Sequence, residues 1–254
     1  MTIFDSLRLD GKRALVTGAG RGLGWEIARA LAEAGAHVLL NGRDAARLAP
    51  RVAELRGAGL AAEASAFDVA DAAAVERAAA AAEPIDILVN NVGARDRRSI
   101  RRMDADDFAR LVAVDLTAAY RLTRALLPGM AERGSGRVLM VTTVVAELAA
   151  PGDPAYIAAK GGLAALTRAI AAEYGRHGVT CNAIAPGFFA TETNRDWSRT
   201  EVGARWAARV PLGRWGEPAE IAGAALLLAS PAGAFINGHT LVVDGGVAAT
   251  LGVG

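Results

Sequence analysis

In "DPAYIAAKGG", residues 153–162, a tyrosine and a lysine stand four positions apart among small helix-forming residues. On a helix this spacing puts Tyr156 and Lys160 on one face, with Cβ atoms about 5–6 Å apart. An ammonium beside a phenol lowers the phenol's pKa from its usual value of about 10. Tyr156 then becomes a proton donor and acceptor that works near neutral pH. The spacing alone also arises by chance, so its meaning depends on what the rest of the chain brings to it.

Seven short apolar runs lie between Ala-rich amphipathic segments: "RALVT", "HVLLN", "AEASAFD", "DILVNN", "RVLMVT", "VTCNAIAP" and "TLVVDGG". Continuous rather than alternating runs suit strands buried on both faces of a parallel sheet, with the intervening helices as right-handed crossovers. The expected fold is α/β, one doubly wound domain over residues 1–254 with a seven-stranded parallel sheet and helices on both faces. Helices are expected to stop at Gly35, in the glycines after "VAELR", and at Gly178, each a common left-handed stop. The stretch 187–216, with Gly and Trp at both ends of a short helix, is the expected substrate lid.

The composition is that of an ordinary globular protein: 254 residues, net charge +1, 52% hydrophobic and 22% charged. It argues against a disordered chain, and the charge balance argues against a nucleic-acid binder. The N-terminus lacks a basic start followed by an apolar run, and no run approaches the roughly 20 apolar residues that span a bilayer. The expectation is a cytoplasmic protein with no membrane partner. Cys181 is the single cysteine and reads as a buried strand thiol. His37, His177 and His239 share no ligand spacing, so no metal is expected.

After the first strand comes "VTGAGRGLGWEIARAL", which sets Gly18, Gly22 and Gly24 in a strand-to-helix turn, with Arg21 and Leu23 between them. Glycines there let the backbone approach a pyrophosphate, and the helix start offers unpaired N–H groups to the anion. This is a Rossmann-type dinucleotide loop. An NAD site usually carries an acidic residue at the end of the second strand, where this chain has Asn41, Gly42 and Arg43. Arg43 and Arg21 suit a 2′-phosphate, so NADP is expected ahead of NAD. The alternative is that both are solvated surface arginines.

Together with "NNVG" at 90–93 and "APGFFAT" at 185–191, these motifs resemble the short-chain dehydrogenase/reductase family, over nearly the whole chain. The resemblance implies that Tyr156 exchanges a proton with the substrate oxygen while a hydride moves between nicotinamide and carbon. It implies that Lys160 lowers the phenol's pKa and binds the nicotinamide ribose. It places Asp68 and Val69 at the adenine, Asn90 and Gly93 along the cofactor cleft, and Pro186, Gly187 and Thr191 by the nicotinamide amide. It also implies a homotetramer. Ala158, Ala159, Gly161, Gly162 and Ala165 would permit close helix contact, or could pack against the sheet instead.

Two positions depart from the family pattern. The serine expected thirteen positions before the tyrosine is Thr143, which keeps the hydroxyl but adds a methyl. The asparagine of "V-N-L" is Asp115 in "VAVDLTAAY". In the family the backbone carbonyl at that position holds a water leading to the lysine, a role a side-chain change leaves intact. A carboxylate about 7 Å from the tyrosine would oppose Lys160 by about 2 kcal/mol at an effective dielectric near 20. Asp115 is therefore expected either to turn away into a hydrogen bond or to raise the pH optimum of oxidation.

The loop after the fourth strand, "NNVGARDRRSIRRMD", gathers Arg95, Arg97, Arg98, Arg101 and Arg102 where doubly wound folds bind ligands. Arg95 and Arg97 are the expected substrate contacts, and an arginine fork suits a carboxylate. The stretch, with "APGFFATETN", is similar to the gluconate 5-dehydrogenase branch of the family. The expected activity is an NAD(P)-dependent interconversion of a secondary alcohol and a ketone on a sugar acid or polyol, such as gluconate and 5-ketogluconate. A 3-oxoacyl-(acyl carrier protein) reductase is one alternative, and a cofactor-binding regulatory protein with impaired catalysis is another. A solvated arginine surface is the competing reading of the loop.

Overall fold

Strand β1 (Arg13–Val16) sends Ala14 and Val16 into one apolar layer and Leu15 into the other, so neither face of the strand meets water. Its parallel neighbours are β2 (His37–Gly42) and β4 (Ile87–Asn90), with Val16 level with Leu40 on one side and Val89 on the other. Outside them lie β3 (Ala62–Ala66), β5 (Gly136–Val141), β6 (Val179–Pro186) and β7 (Thr240–Val243). The computed structural model describes residues 2–81 and 84–250. Among these the sheet runs β3-β2-β1-β4-β5-β6-β7 with every pairing parallel, and all seven expected strands are present.

The helices are α1 (Gly22–Glu33), α2 (Ala45–Gly57), α3 (Ala72–Ala81), α4 (Ala105–Val112), α5 (Ala118–Glu132), α6 (Val145–Leu148), α7 (Pro154–Tyr174), α8 (Arg195–Ser198), α9 (Glu201–Ala207) and α10 (Ala222–Ala229). Trp25 and Leu31 of α1, Leu48 and Leu55 of α2 and Leu228 of α10 cover one face of the sheet. Val75 of α3, Leu122 and Met130 of α5 and Leu163 and Ile170 of α7 cover the other. Helix α1 gives way to Gly35, whose φ of +105° excludes a side chain, as does Asp10 Oδ1, which would lie 2.4 Å from any Cβ there. No helix among the described residues is long and apolar enough to cross a membrane.

Three features of this frame position a site. The chain winds outward from β1 to β3 and then returns to β4, so a crevice opens beyond the carboxyl ends of β1 and β4. Between α4 and α5, residues Ala113–Thr117 form a π-helical turn with Asp115 at its middle. Residues 187–216 hold two short helices, α8 and α9, where the sequence predicted one. Their aromatic side chains hold the segment together: Phe188 packs on Trp206 and Trp215 at 5.0 and 5.5 Å between ring centres, and Trp197 meets Trp215 at 5.4 Å. The base of the segment is tied by a parallel bridge between Phe189 and Gly216.

Candidate active site

Helix α7 starts at Pro154 and carries Tyr156 and Lys160 one turn apart, facing the end of β4. Lys160 is 2% exposed, and its Nζ donates to Val141 O at 2.9 Å and Val92 O at 3.2 Å. Those carbonyls belong to the end of β5 and the loop after β4, so the ammonium is held by the sheet itself. Gly93 lies against the pair: a Cβ there would sit 3.2 Å from Lys160 Nζ and 3.7 Å from a Tyr156 ring carbon. Thr143, two residues beyond β5, lies close enough to the Tyr156 hydroxyl to lower its pKa, and its Oγ1 accepts the Val145 N–H at 3.4 Å. Thr142 turns the other way and donates to Ile184 O at 3.0 Å.

Electrostatics at the pair correct one expectation. The phenol of Tyr156 sits above its usual pKa, because burial raises it more than its neighbours lower it. The cation pulling it down is Arg95, whose guanidinium carbon lies 4.6 Å from the centre of the Tyr156 ring. Asp115 and Asp153 push the phenol upward, and the Thr143 hydroxyl offsets them in part. Lys160 Nζ lies 5.8 Å from the same ring centre, and burial lowers its own pKa to about 8 against the opposing charge of Asp115.

Asp115 turns its carboxyl into a hydrogen bond, the first of the two alternatives expected for it. Its Oδ1 accepts the Ala94 N–H at 2.7 Å, while the carboxyl stays close enough to interact with Lys160 and Tyr156. Burial raises its pKa, opposed by the Lys160 charge and the Ala94 N–H.

The glycine loop closes on Asn91. A Cβ on Gly24 would lie 2.4 Å from Asn91 Nδ2 and 2.5 Å from Gly18 O, while Gly18 and Gly22 have φ of +65° and +59°. Asn91 Nδ2 donates to Thr17 O and Gly18 O, and the Thr17 hydroxyl accepts the Asn91 N–H. Leu23 packs against the core beneath, and Arg21 caps α1 from an extended backbone with its side chain exposed. Thr191 stands over Gly22, within 3.6 Å of where its Cβ would be. Arg51 of α2 adds a strap, its guanidinium 4.5 Å from the centre of the Trp25 ring and paired with Glu192 at 2.9 Å.

Residues 18–248 match the family model described as enoyl-(acyl carrier protein) reductase. Gluconate 5-dehydrogenase of Gluconobacter oxydans (strain 621H) is 41% identical over 97% of this chain and 98% of its own. A solved short-chain dehydrogenase/reductase family protein, 40% identical, superposes with a TM-score of 0.88 over 96% of this chain and all of its own. The chain belongs to the short-chain dehydrogenase/reductase family. A gluconate 5-dehydrogenase from Burkholderia cenocepacia J2315, solved in complex with NADP and tartrate, is 40% identical with a TM-score of 0.93. It covers 98% of this chain and 100% of its own.

Asn90 was expected along the cofactor cleft, but its side chain is 4% exposed and donates to Thr123 Oγ1 and Met140 Sδ inside the core. Asn91, which the sequence reading passed over within the same "NN", is the residue that fastens the glycine loop. Alternation along a strand sends successive side chains to opposite faces, and the dipeptide alone does not say which faces the crevice. Asp68 Oδ1 caps the Ala70 N–H at 2.9 Å beside buried Val69. Pro186 ends β6, and Gly187 packs so tightly on Asp244 that a Cβ would lie 2.6 Å from the Asp244 Cβ.

The arginine cluster divides. Arg95 pairs with Asp153, and the Arg97 guanidinium carbon lies 5.7 Å from the Trp197 ring centre. Arg98 is consumed by Asp96 and Asp107, and Arg101 and Arg102 are exposed. An open cleft of about 630 Å³ runs beside Asp96, Arg97, Arg98, Ser99 and Arg102.

Proposed function

We propose that this short-chain dehydrogenase/reductase interconverts a secondary alcohol and a ketone on a sugar acid, such as gluconate and 5-ketogluconate, with NADP. One observation carries the substrate class: the Tyr156 ring is flanked by the guanidinium of Arg95, and Arg97 stands against Trp197 of the segment beyond it. A carboxylate held by those arginines would set the far end of a short chain near the phenol. The relatives named gluconate 5-dehydrogenase support the same choice.

The residues present fit a dinucleotide with a 2′-phosphate. Gly18, Gly22 and Gly24 leave no side chain over the loop, with Asn91 shaping it beneath. Asn41 turns inward to Ser65 O and Phe67 O, which leaves exposed Arg43 and Arg21 at the mouth to meet a phosphate. Asp68, Val69, Gly93, Pro186, Gly187 and Thr191 line its path. When bound, the nicotinamide gives or takes the hydride. Tyr156 donates a proton to the carbonyl oxygen in reduction and accepts it back in oxidation. Thr143 holds that oxygen by a hydrogen bond. Lys160, fixed by two carbonyls, would hold the nicotinamide ribose. Residues 187–216 act as the substrate lid, hinged at the Phe189–Gly216 bridge.

The protein works as a cytoplasmic homotetramer, with a small anionic substrate and neither nucleic acid nor membrane as partner. Ala158, Gly161 and Ala165 support the assembly. They form a small-residue stripe on α7 in which Ala158 and Ala165 are exposed and Gly161 has open space above it. Gly162, by contrast, packs inward on Leu116.

The test is loss of NADPH absorbance with 5-ketogluconate, a neutral ketose and a 3-oxoacyl thioester. Turnover should favour 5-ketogluconate, with KM rising about tenfold or more in Arg97→Ala. Turnover of the thioester alone would defeat the sugar-acid reading.

A further inference from the structure

The carboxyl of Asp115 is the buried group that the proton chemistry above leaves without a task. Asp115 is 1% exposed, with Oδ1 satisfied by the Ala94 N–H and Oδ2 buried without a hydrogen-bond partner. An ionised oxygen removed from water without a donor loses its hydration and gains nothing in return. The same oxygen carrying a proton sheds the cost of an unpaired charge and leaves only a neutral hydroxyl without an acceptor, so burial favours the acid form.

The surroundings tie that proton to the reacting pair. Asp115 occupies a π-helical turn, an interruption of helix geometry that recurs at functional sites. Its Oδ1 holds Ala94 N–H, and Lys160 holds Val92 O, so the two side chains grip one three-residue stretch from opposite sides of Gly93. That stretch runs on into Arg95, over the Tyr156 ring. The ionisable groups facing Asp115 are Lys160 and Tyr156 from α7, with Arg95 and its partner Asp153 at the rim. Among the described residues α4 and α5 set no charge against it.

We propose that Asp115 rests as a neutral carboxylic acid with its proton on Oδ2, and that losing this proton holds Lys160 charged and keeps the proton on Tyr156. Asp115 is thus a positioning residue that acts through its neighbours, and the inference rests on Tyr156 being the group that exchanges the substrate's proton. The directions at the site agree: burial raises the Asp115 carboxyl, and the Asp115 charge raises both Tyr156 and Lys160. An asparagine at this position would offer the Ala94 N–H an equivalent acceptor and carry no titrating proton.

The experiment follows the ionisations by carbon-13 NMR in full-length protein saturated with NADP, labelled at aspartate Cγ and tyrosine Cζ. The resonance missing from Asp115→Asn identifies Asp115. It is expected to titrate above the ordinary aspartate value of about 3.9, in the direction that burial of the carboxyl sets. In Asp115→Asn the Tyr156 resonance and the pH profile of alcohol oxidation are expected to move together toward acid by about one unit, a tenfold shift in proton affinity. Titration of Asp115 near the ordinary value, in a measurement that needs no variant, would overturn the proposal. So would an unmoved Tyr156 resonance in the variant. Retained turnover in Tyr156→Phe would instead sink the assignment of Tyr156, while the Asp115 titration would still be read on its own.

Discussion

The guanidinium of Arg95 lies over the ring of Tyr156, 4.6 Å from its centre, and pairs with Asp153, the residue just before the first turn of α7. Asp153 has a left-handed backbone with φ of +55° and does not cap the helix with its side chain. Its carboxylate instead tethers the cation that offsets burial of the phenol.

Removing that cation should move the reaction's pH dependence. Arg95→Gln is expected to raise the Tyr156 pKa, so the rise in kcat/KM for oxidation shifts toward alkali. The Arg95 side chain is 42% exposed, and screening limits the shift to about one unit or less. Rate profiles of the two proteins from pH 6 to 10 check it, and superimposable profiles would remove Arg95 from the control of Tyr156.

Lys160 links activity to stability. Burial lowers its pKa from 10.5 to about 8, so its contribution is fully present above 10.5 and is lost as pH falls through 8. Lys160→Met should therefore look progressively more stable relative to wild type from pH 10 down to pH 7, by a swing on the order of 3 kcal/mol. Turnover should fall at least about a hundredfold at both ends. Denaturant titrations at the two pH values measure the swing, and a constant difference would contradict it.

Gly24→Ala places a methyl carbon 2.4 Å from Asn91 Nδ2 and 2.5 Å from Gly18 O. Backbone and a doubly bonded side chain must both shift, so NADPH affinity should drop at least about tenfold and Tm should fall. Asn91→Ala, which leaves Thr17 O and Gly18 O without that donor, should weaken NADPH binding in the same direction. Fluorescence titration with NADPH decides both cases, and unchanged affinity in both would show that the loop's shape does not govern binding.

Arg21 and Arg43 are exposed, and among the described residues neither enters an ion pair. Replacing both with Ala should weaken NADPH by about ten- to a hundredfold and leave NADH nearly unchanged. Equal losses for the two nucleotides would mean that the arginines do not read the 2′-phosphate.

The sequence by itself determined the sheet, the crevice and the Tyr156–Lys160 pair, because those depend on local rules. Apolar runs of strand length between helical periods impose a parallel order, and a four-residue step on a helix fixes which side chains share a face. Tertiary structure decided what that local pattern leaves open. Asn91 rather than Asn90 grips the glycine loop because the twist and register of β4 against β1 turn one asparagine outward and bury the other. Arg95 governs the phenol because a partner 58 residues away, Asp153, holds it there. The phenol sits above its usual pKa because burial, which no spacing reveals, outweighs the charges beside it. Asp115 shows both limits at once: its type is visible in "VAVDL", but the orphaned oxygen exists only where α7, the loop after β4 and the π-helical turn close around it.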